Sequence, residues 1–362
     1  MKRKGLVLTA AVLVLGAVAL IVVLRNSRTS TFDQDYNIAD TSAVTRVYMA
    51  DKQDNEVLLS RNKKATRDSL WLVDDKYAAS QPMIDLLLGT LHDMRIREQV
   101  NRKAVPAVVK AIASRSVKVE VYERRYRLNL PGIGLRLLPH EKLAATYFVG
   151  HETQDMMGSF FYREGDDVPY IIHIPGFRGF LGPRFVADPT AWRSHRIVSL
   201  NVNEIEQVKL EIPASPEESF AINRNGDGFE MQLLASGRKV DGFDTARVAQ
   251  LLSSFVNLNF DEYAQAVPQV ELDTTFARAP RTVLTVTATD GRQRQLKTYV
   301  KYVNPEDLTT MPDPEMYEVF DLNRLYAVVD DRDTVLIQYY IFDNILQPAS
   351  YFMGADRSTF AR

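Results

Sequence analysis

The chain carries one pattern twice. VTRVYMA from Val44 and EVLLSR from Glu56 flank the turn signal DKQDN, and SLWLVDD adds a third apolar run, which together predict a small antiparallel meander. A helix follows, with Ser80 as N-cap, Pro82 in the first turn, and Ile84, Leu87, Leu88 and Leu91 on one face. A second short helix is expected over Val105 to Ala113, then a strand from Val117 to Glu123, with later strands at ATYFVG, SFFYRE and VPYIIHIP.

From Ile205 the series begins again. IEQVKLEI answers the strand at Val44, SFAINR ends in Arg224 where EVLLSR ends in Arg61, and GFEMQLL takes the place of SLWLVDD. Asp244 then stands where Ser80 stood, and Val248, Leu251, Leu252 and Phe255 match Ile84, Leu87, Leu88 and Leu91 at one constant offset. Phe243 against Val248 makes a hydrophobic staple. Met94 and Ile96 correspond to Leu258 and Phe260, TVLTVTATDG to VKVEVYE, and TYVK at Thr298 to TYFV at Thr146. An ordered recurrence of this kind limits the fold to two related α+β units, each an antiparallel sheet with packed helices. The expected ranges are 44–195 for the first unit with its crossover and 196–346 for the second, leaving a tail over 347–362.

A different signal precedes the units. Gly5 to Leu24 is a run of twenty uncharged residues in which Thr9 alone has a polar side chain. As a helix it spans the hydrocarbon layer of about 30 Å and satisfies its own backbone there. Lys2, Arg3 and Lys4 before it, against Arg25 and Arg28 after it, leave residues 1–4 as a cytoplasmic stub and the bulk outside the cytoplasm. The run is longer than a signal-peptide core, and no small-residue cleavage site precedes Arg25, which favours an uncleaved anchor over a removed leader. The expectation is therefore one N-terminal transmembrane helix over 5–24 in the inner membrane, with the bilayer as a partner, and a polar tether over 25–43. The chain has no cysteine, so disulfides, thiol nucleophiles and a lipidated N-terminal cysteine are excluded.

Beyond residue 28 the chain has 39 basic and 46 acidic residues, which is no footprint for nucleic acid. Two small basic clusters, Lys63, Lys64 and Arg67, and Arg124, Arg125 and Arg127, read as solvated strand or loop charges.

The chain carries few residue patterns that point to chemistry. None of His92, His140, His151, His173 and His195 has metal-ligand spacing. His151, Glu152 and Asp155 make a candidate polar site beside TYFVG, for which a turn is the plainer reading. Asn223, Asn225, Asp227 and Gly228 approximate the start of a calcium loop, but Leu234 stands where the bidentate Glu belongs; NGDG is read as a hairpin turn. PGIGLRLLP lacks the glycine spacing of a dinucleotide site and is read as a turn. Asp166 and Asp167, and Asp330, Asp331 and Asp333, read as hairpin loops. No catalytic residue, metal ligand or cofactor site is assigned.

The most distinctive stretch is HIPGFRGFLGPRFVADPTAWRSHR. Its Phe177, Arg178, Phe180, Phe185 and Trp192 have the composition of a partner interface, and the alternative is a crossover that packs its aromatics inside the fold.

The order of these motifs, with Trp71 in LWLV, LLLGTLHDM, VKVEVYE, TYFVG, and HIPGF before AWRSHRIVSL, resembles the bacterial domain-of-unknown-function family DUF4340, in particular its Bacteroidetes branch, over roughly 40–343. The resemblance implies no catalytic residues. It implies an accessory role, because relatives are often encoded beside ABC-type transporter components linked to gliding or export. The functional expectation is a non-enzymatic, single-pass envelope protein acting as an interaction or scaffolding module, with ABC-type transporter subunits as the partner; the alternative is a glycan-binding module or a hydrolase whose site is not recognisable from sequence.

Overall fold

The computed structural model describes residues 36–66, 69–130, 135–302 and 320–353. The apolar run 5–24 lies outside them, and among the described residues no helix is long and apolar enough to cross a membrane. The chain divides between Trp192 and Arg193 into two compact units, each an α+β assembly built on a nine-stranded sheet.

In the first unit, β1 (Val44–Ala50), β2 (Glu56–Thr66), β3 (Ser69–Val73) and β4 (Tyr77–Ala78) form the meander. Helix α1 (Gln81–Asp93) leads to β5 (Arg95–Gln99), helix α2 (Val105–Arg115) follows, and β6 (Val117–Leu130), β7 (Leu135–Glu152), β8 (Ser159–Arg163) and β9 (Tyr170–His173) complete the sheet. The strand order is β4-β3-β2-β1-β6-β7-β8-β9-β5, with every pairing antiparallel.

The second unit opens with β10 (Arg196–Val198), which pairs with β15 (Leu258–Asn259). Its meander is β11 (Ile205–Glu211), β12 (Phe220–Asn225), β13 (Gly228–Leu233) and β14 (Lys239–Val240). Helix α3 (Thr245–Ser254), β16 (Glu262–Tyr263), helix α4 (Gln269–Phe276), β17 (Thr282–Ala288), β18 (Gln293–Tyr302), β19 (Phe320–Val329) and β20 (Asp333–Gln338) follow, with short helices α5 (Tyr339–Phe342) and α6 (Ala349–Phe352). The order β14-β13-β12-β11-β17-β18-β19-β20-β16 reproduces that of the first sheet position by position.

The cores explain why the apolar positions recur. One face of α1 buries Ile84, Leu87 and Leu91 on Val47, Met49, Leu59, Val119 and Val121. Helix α3 buries Val248, Leu251 and Leu252, with Phe255 just beyond its end, on Val208, Leu210, Ile222, Leu284 and Val286. Successive strand residues face opposite ways, so the other face of each sheet needs its own cover. In the first unit, Val108 and Ile112 of α2 pack with Phe148 and Phe160; in the second, Leu272 of α4 packs with Tyr299 and Tyr326.

Polar details recur as well. Each first strand has a bulge near its start, at Val44/Arg46 and Ile205/Gln207. At each bulge an arginine Nε donates to the freed carbonyl, Arg61 to Val44 at 2.6 Å and Arg224 to Ile205 at 2.8 Å. The N-cap amides of α1 and α3 donate to Trp192 and Phe352, both at 2.7 Å.

Three expectations change. The stretch assigned to a tether is part of the fold from Tyr36 on, with Tyr36 and Ile38 buried. The stretch assigned to a tail from 347 includes α6, whose Ala349 and Phe352 are buried, because isolated apolar residues find a core that their neighbours in sequence do not reveal. The strand expected to end at Glu123 runs to Leu130, and Leu135 to Pro139, read as a turn, begins β7; residues 131–134 lie outside the described set.

Candidate functional site

On the face covered by α2, the first unit has an open groove of about 760 Å³. Arg97 and Glu98 of β5 form one side, Ala107, Val108 and Ala111 of α2 another, and His151 to Met156, after the buried part of β7, close it. Phe160 and Ile171 lie among the lining residues. Gly150 permits this arrangement, since a Cβ there would lie 2.9 Å from the Phe160 carbonyl oxygen and 3.0 Å from Ile112 Cγ1. A larger residue would push α2 off the sheet.

The groove gathers the three residues singled out around His151. Asp155 is exposed but committed: Arg97 Nη2 lies 2.7 Å from its Oδ2, and its Oδ1 accepts from the Thr153 hydroxyl at 2.5 Å and the Met157 amide at 3.0 Å. The Arg97 hydrogen bond first, then those from Thr153 and Met157, hold its carboxyl well below the usual carboxylate range. A carboxylate so held has little proton affinity near neutral pH and fixes the loop instead. His151 packs its ring 4.9 Å from that of Phe160, and Met156 and Met157 are exposed beside it. Arg97, which organises the loop, had no signal in the sequence, because β5 and the turn after β7 meet only in the fold.

The aromatic stretch is divided by the fold. Phe185 and Trp192 are 2% and 1% exposed and belong to the first unit's core; Phe185 meets Phe161 edge-on at 5.8 Å, and Trp192 Nε1 donates to the Val186 carbonyl at 2.7 Å. Phe177 is half-buried beneath the Arg184 guanidinium at 4.4 Å, and Phe180 is half-buried. Arg178 is exposed. The crossover thus brings its two most deeply placed aromatics together inside the unit and leaves Arg178 at the surface.

Other candidates are scattered. His92 is exposed beside Asp93 at 2.7 Å, His173 sits on β9 opposite Arg95, and His195 stacks on Phe260 at 4.7 Å. Burial is the main cause of a His195 imidazole pKa below its ordinary value. The carboxylates of Asp330, Asp331 and Asp333 go to three different cations, Arg294, Lys297 and Arg193, and Asp166 goes to Arg163. Asn225 pairs with Gly228 across a two-residue turn, where Gly226 takes a φ of +59°, a conformation glycine adopts without steric cost. Among the described residues no three His, Asp or Glu side chains gather to hold a metal ion.

No curated protein and no solved structure matches the chain. A family model does, from Trp71 in β3 to just past α4, and so takes in part of each unit. Over residues 71–279 the match is to the family described as Domain of unknown function (DUF4340), and the chain belongs to it.

Proposed function

We propose that this protein is a non-enzymatic interaction or scaffolding module of the cell envelope, held in the inner membrane by residues 5–24 with both units outside the cytoplasm, and accessory to an ABC-type transporter. The observation that carries the interaction reading is the groove. Its carboxylate Asp155 is engaged by Arg97, Thr153 and Met157, while Ala107, Val108, Ala111, Phe160 and Ile171 supply an apolar wall edged by exposed Met156. A flexible thioether beside an apolar cleft suits a partner's side chains. The anchor and its orientation are supported by the uncharged run and the basic residues before it.

The test is affinity purification of the full chain from native membranes, with mass spectrometry of the retained proteins, alongside Met156→Asp and an untagged control. Reproducible recovery of transporter subunits, lost with Met156→Asp, supports the reading. Recovery of no specific protein, with retention on a polysaccharide matrix, replaces it with the glycan-binding alternative.

A further inference from the structure

Strands β6 and β7 run past the sheet that holds them. Pairing of β6 with β1 stops at Glu123 opposite Val44, and pairing of β7 with β8 starts at Tyr147 opposite Arg163. Beyond these points the two strands pair only with each other, from Arg124↔Glu141 to Leu130↔Leu135. At a rise of about 3.3 Å per residue, the seven residues from Arg124 to Leu130 carry this ribbon roughly 20 Å past β1.

The ribbon's apolar residues have no core to enter. Leu128, Leu135, Leu137 and Leu138 are 42%, 37%, 45% and 64% exposed. Between them stand exposed Arg124, Arg127 and Arg136, while Arg125 pairs with Glu123 and Glu141 with Arg46. The register places a second basic cluster at the same end. Ser60 of β2 lies opposite Arg46 near the start of β1, so β2 continues toward the ribbon end with exposed Lys63 and Lys64, and Leu70 of the neighbouring β3 is 46% exposed. Exposed Glu164 and Asp167 lie in the β8–β9 turn, across β7 from the basic strands. At the opposite end of the meander, Asp51 and Asp54 stand with Lys52 in the β1–β2 turn, and Asp74 and Asp75 with Lys76 after β3. Basic and apolar side chains gathered on one projecting ribbon orient a body on an anionic surface.

Chain connectivity supplies that surface. Tyr36, where the described chain begins, is held on the same sheet, level with Val119 and Met49: its ring lies 5.5 Å from that of Tyr147 and 4.8 Å from the Arg163 guanidinium. Residues 25–35 separate it from Leu24, a reach of at most about 40 Å. We propose that the β6–β7 ribbon lies on the anionic lipid face of the membrane in which the chain is anchored, setting Leu128, Leu135, Leu137 and Leu138 among the headgroups and Arg124, Arg127 and Arg136 on their phosphates. This inference rests on the anchored reading.

The absence of cysteine makes site-specific labelling direct. Leu138→Cys in the full chain, carrying a nitroxide and reconstituted into vesicles of phosphatidylcholine with phosphatidylglycerol, is expected to be more accessible to oxygen than to a water-soluble nickel chelate. A label at Asp54→Cys reads the reverse. Charge reversal of Arg124, Arg127 and Arg136 to Glu in the Leu138→Cys background abolishes the lipid exposure, as does pure phosphatidylcholine in high salt. A Leu138 label that stays water-exposed in anionic vesicles, on protein that resists carbonate extraction, overturns the ribbon proposal and leaves the anchor standing. Protein released by carbonate overturns the anchor itself. A label that is water-exposed in vesicles but protected in native membranes assigns the ribbon to a protein partner and overturns lipid contact.

Discussion

The two units share a strand order, and among the described residues they differ in the hairpin at the centre of each sheet. In the second unit, β17 and β18 have seven and ten residues, and the turn between them closes on Asp290 and Arg292 as soon as the sheet is complete. In the first, the equivalent β6 and β7 have fourteen and eighteen. The second unit shows how much hairpin this core requires. The described leucines of the additional length in the first, Leu128, Leu135, Leu137 and Leu138, are exposed, so packing within the unit does not account for it.

A second contrast lies at the helix starts. Asp244 accepts hydrogen bonds from the Ala246 and Arg247 amides, whereas Ser80 in the same place makes no side-chain cap bond. Both N-cap amides are nonetheless satisfied from the end of their own unit, at Phe352 and Trp192. Shared topology is maintained by backbone and core, and side-chain caps vary over it.

The strongest test of equivalence is Phe255→Ala against Leu91→Ala, both at fully buried sites. Losses of about 3–5 and 2–5 kcal/mol are expected in urea titrations; a shift confined to one of two transitions in each variant shows that the units unfold separately. Next, Arg61→Met and Arg224→Met each leave a strand carbonyl without its donor and are expected to cost about 1–3 kcal/mol alike. Unequal losses would mean that the bulge arginines do different work in the two units. Asp244→Ala should cost about 1 kcal/mol, while Ser80→Ala stays within about 0.5 kcal/mol; equal values would break the capping contrast.

The smallest effect concerns His195, which has no histidine at the matching place in the first unit. Its folded pKa is lowered from 6.5, mainly by burial, so the unfolded chain takes up the proton first as pH falls. Its contribution is present while the imidazole is neutral, declines as pH drops below about 6.5, and levels off below the folded value. Thermal melts between pH 7.5 and 5 should show a smaller acid-side loss in His195→Gln than in the parent protein. Equal slopes would remove His195 from the pH response.

Much of this architecture was legible in the sequence because it depends on spacing. The helices α1 and α3, the two meanders, and the match of Ile84, Leu87 and Leu91 with Val248, Leu251 and Phe255 follow from local periodicity, which the chain fixes before it folds. The groove was half legible: His151, Glu152 and Asp155 were visible as neighbours, and Arg97 was not, because an ion pair across 58 positions of sequence exists only once β5 and the β7–β8 turn are brought together.

The basic clusters show the same boundary most clearly. Lys63 and Lys64, and Arg124 and Arg127, looked like separate solvated charges, and Leu135 to Leu138 looked like part of a turn. The sequence by itself determined the residue types, the repeat and the uncharged run at 5–24. Only tertiary structure decided that these residues stand at one end of one sheet, because antiparallel register, set by which face of each strand the core buries, assigns every residue its place along the strand.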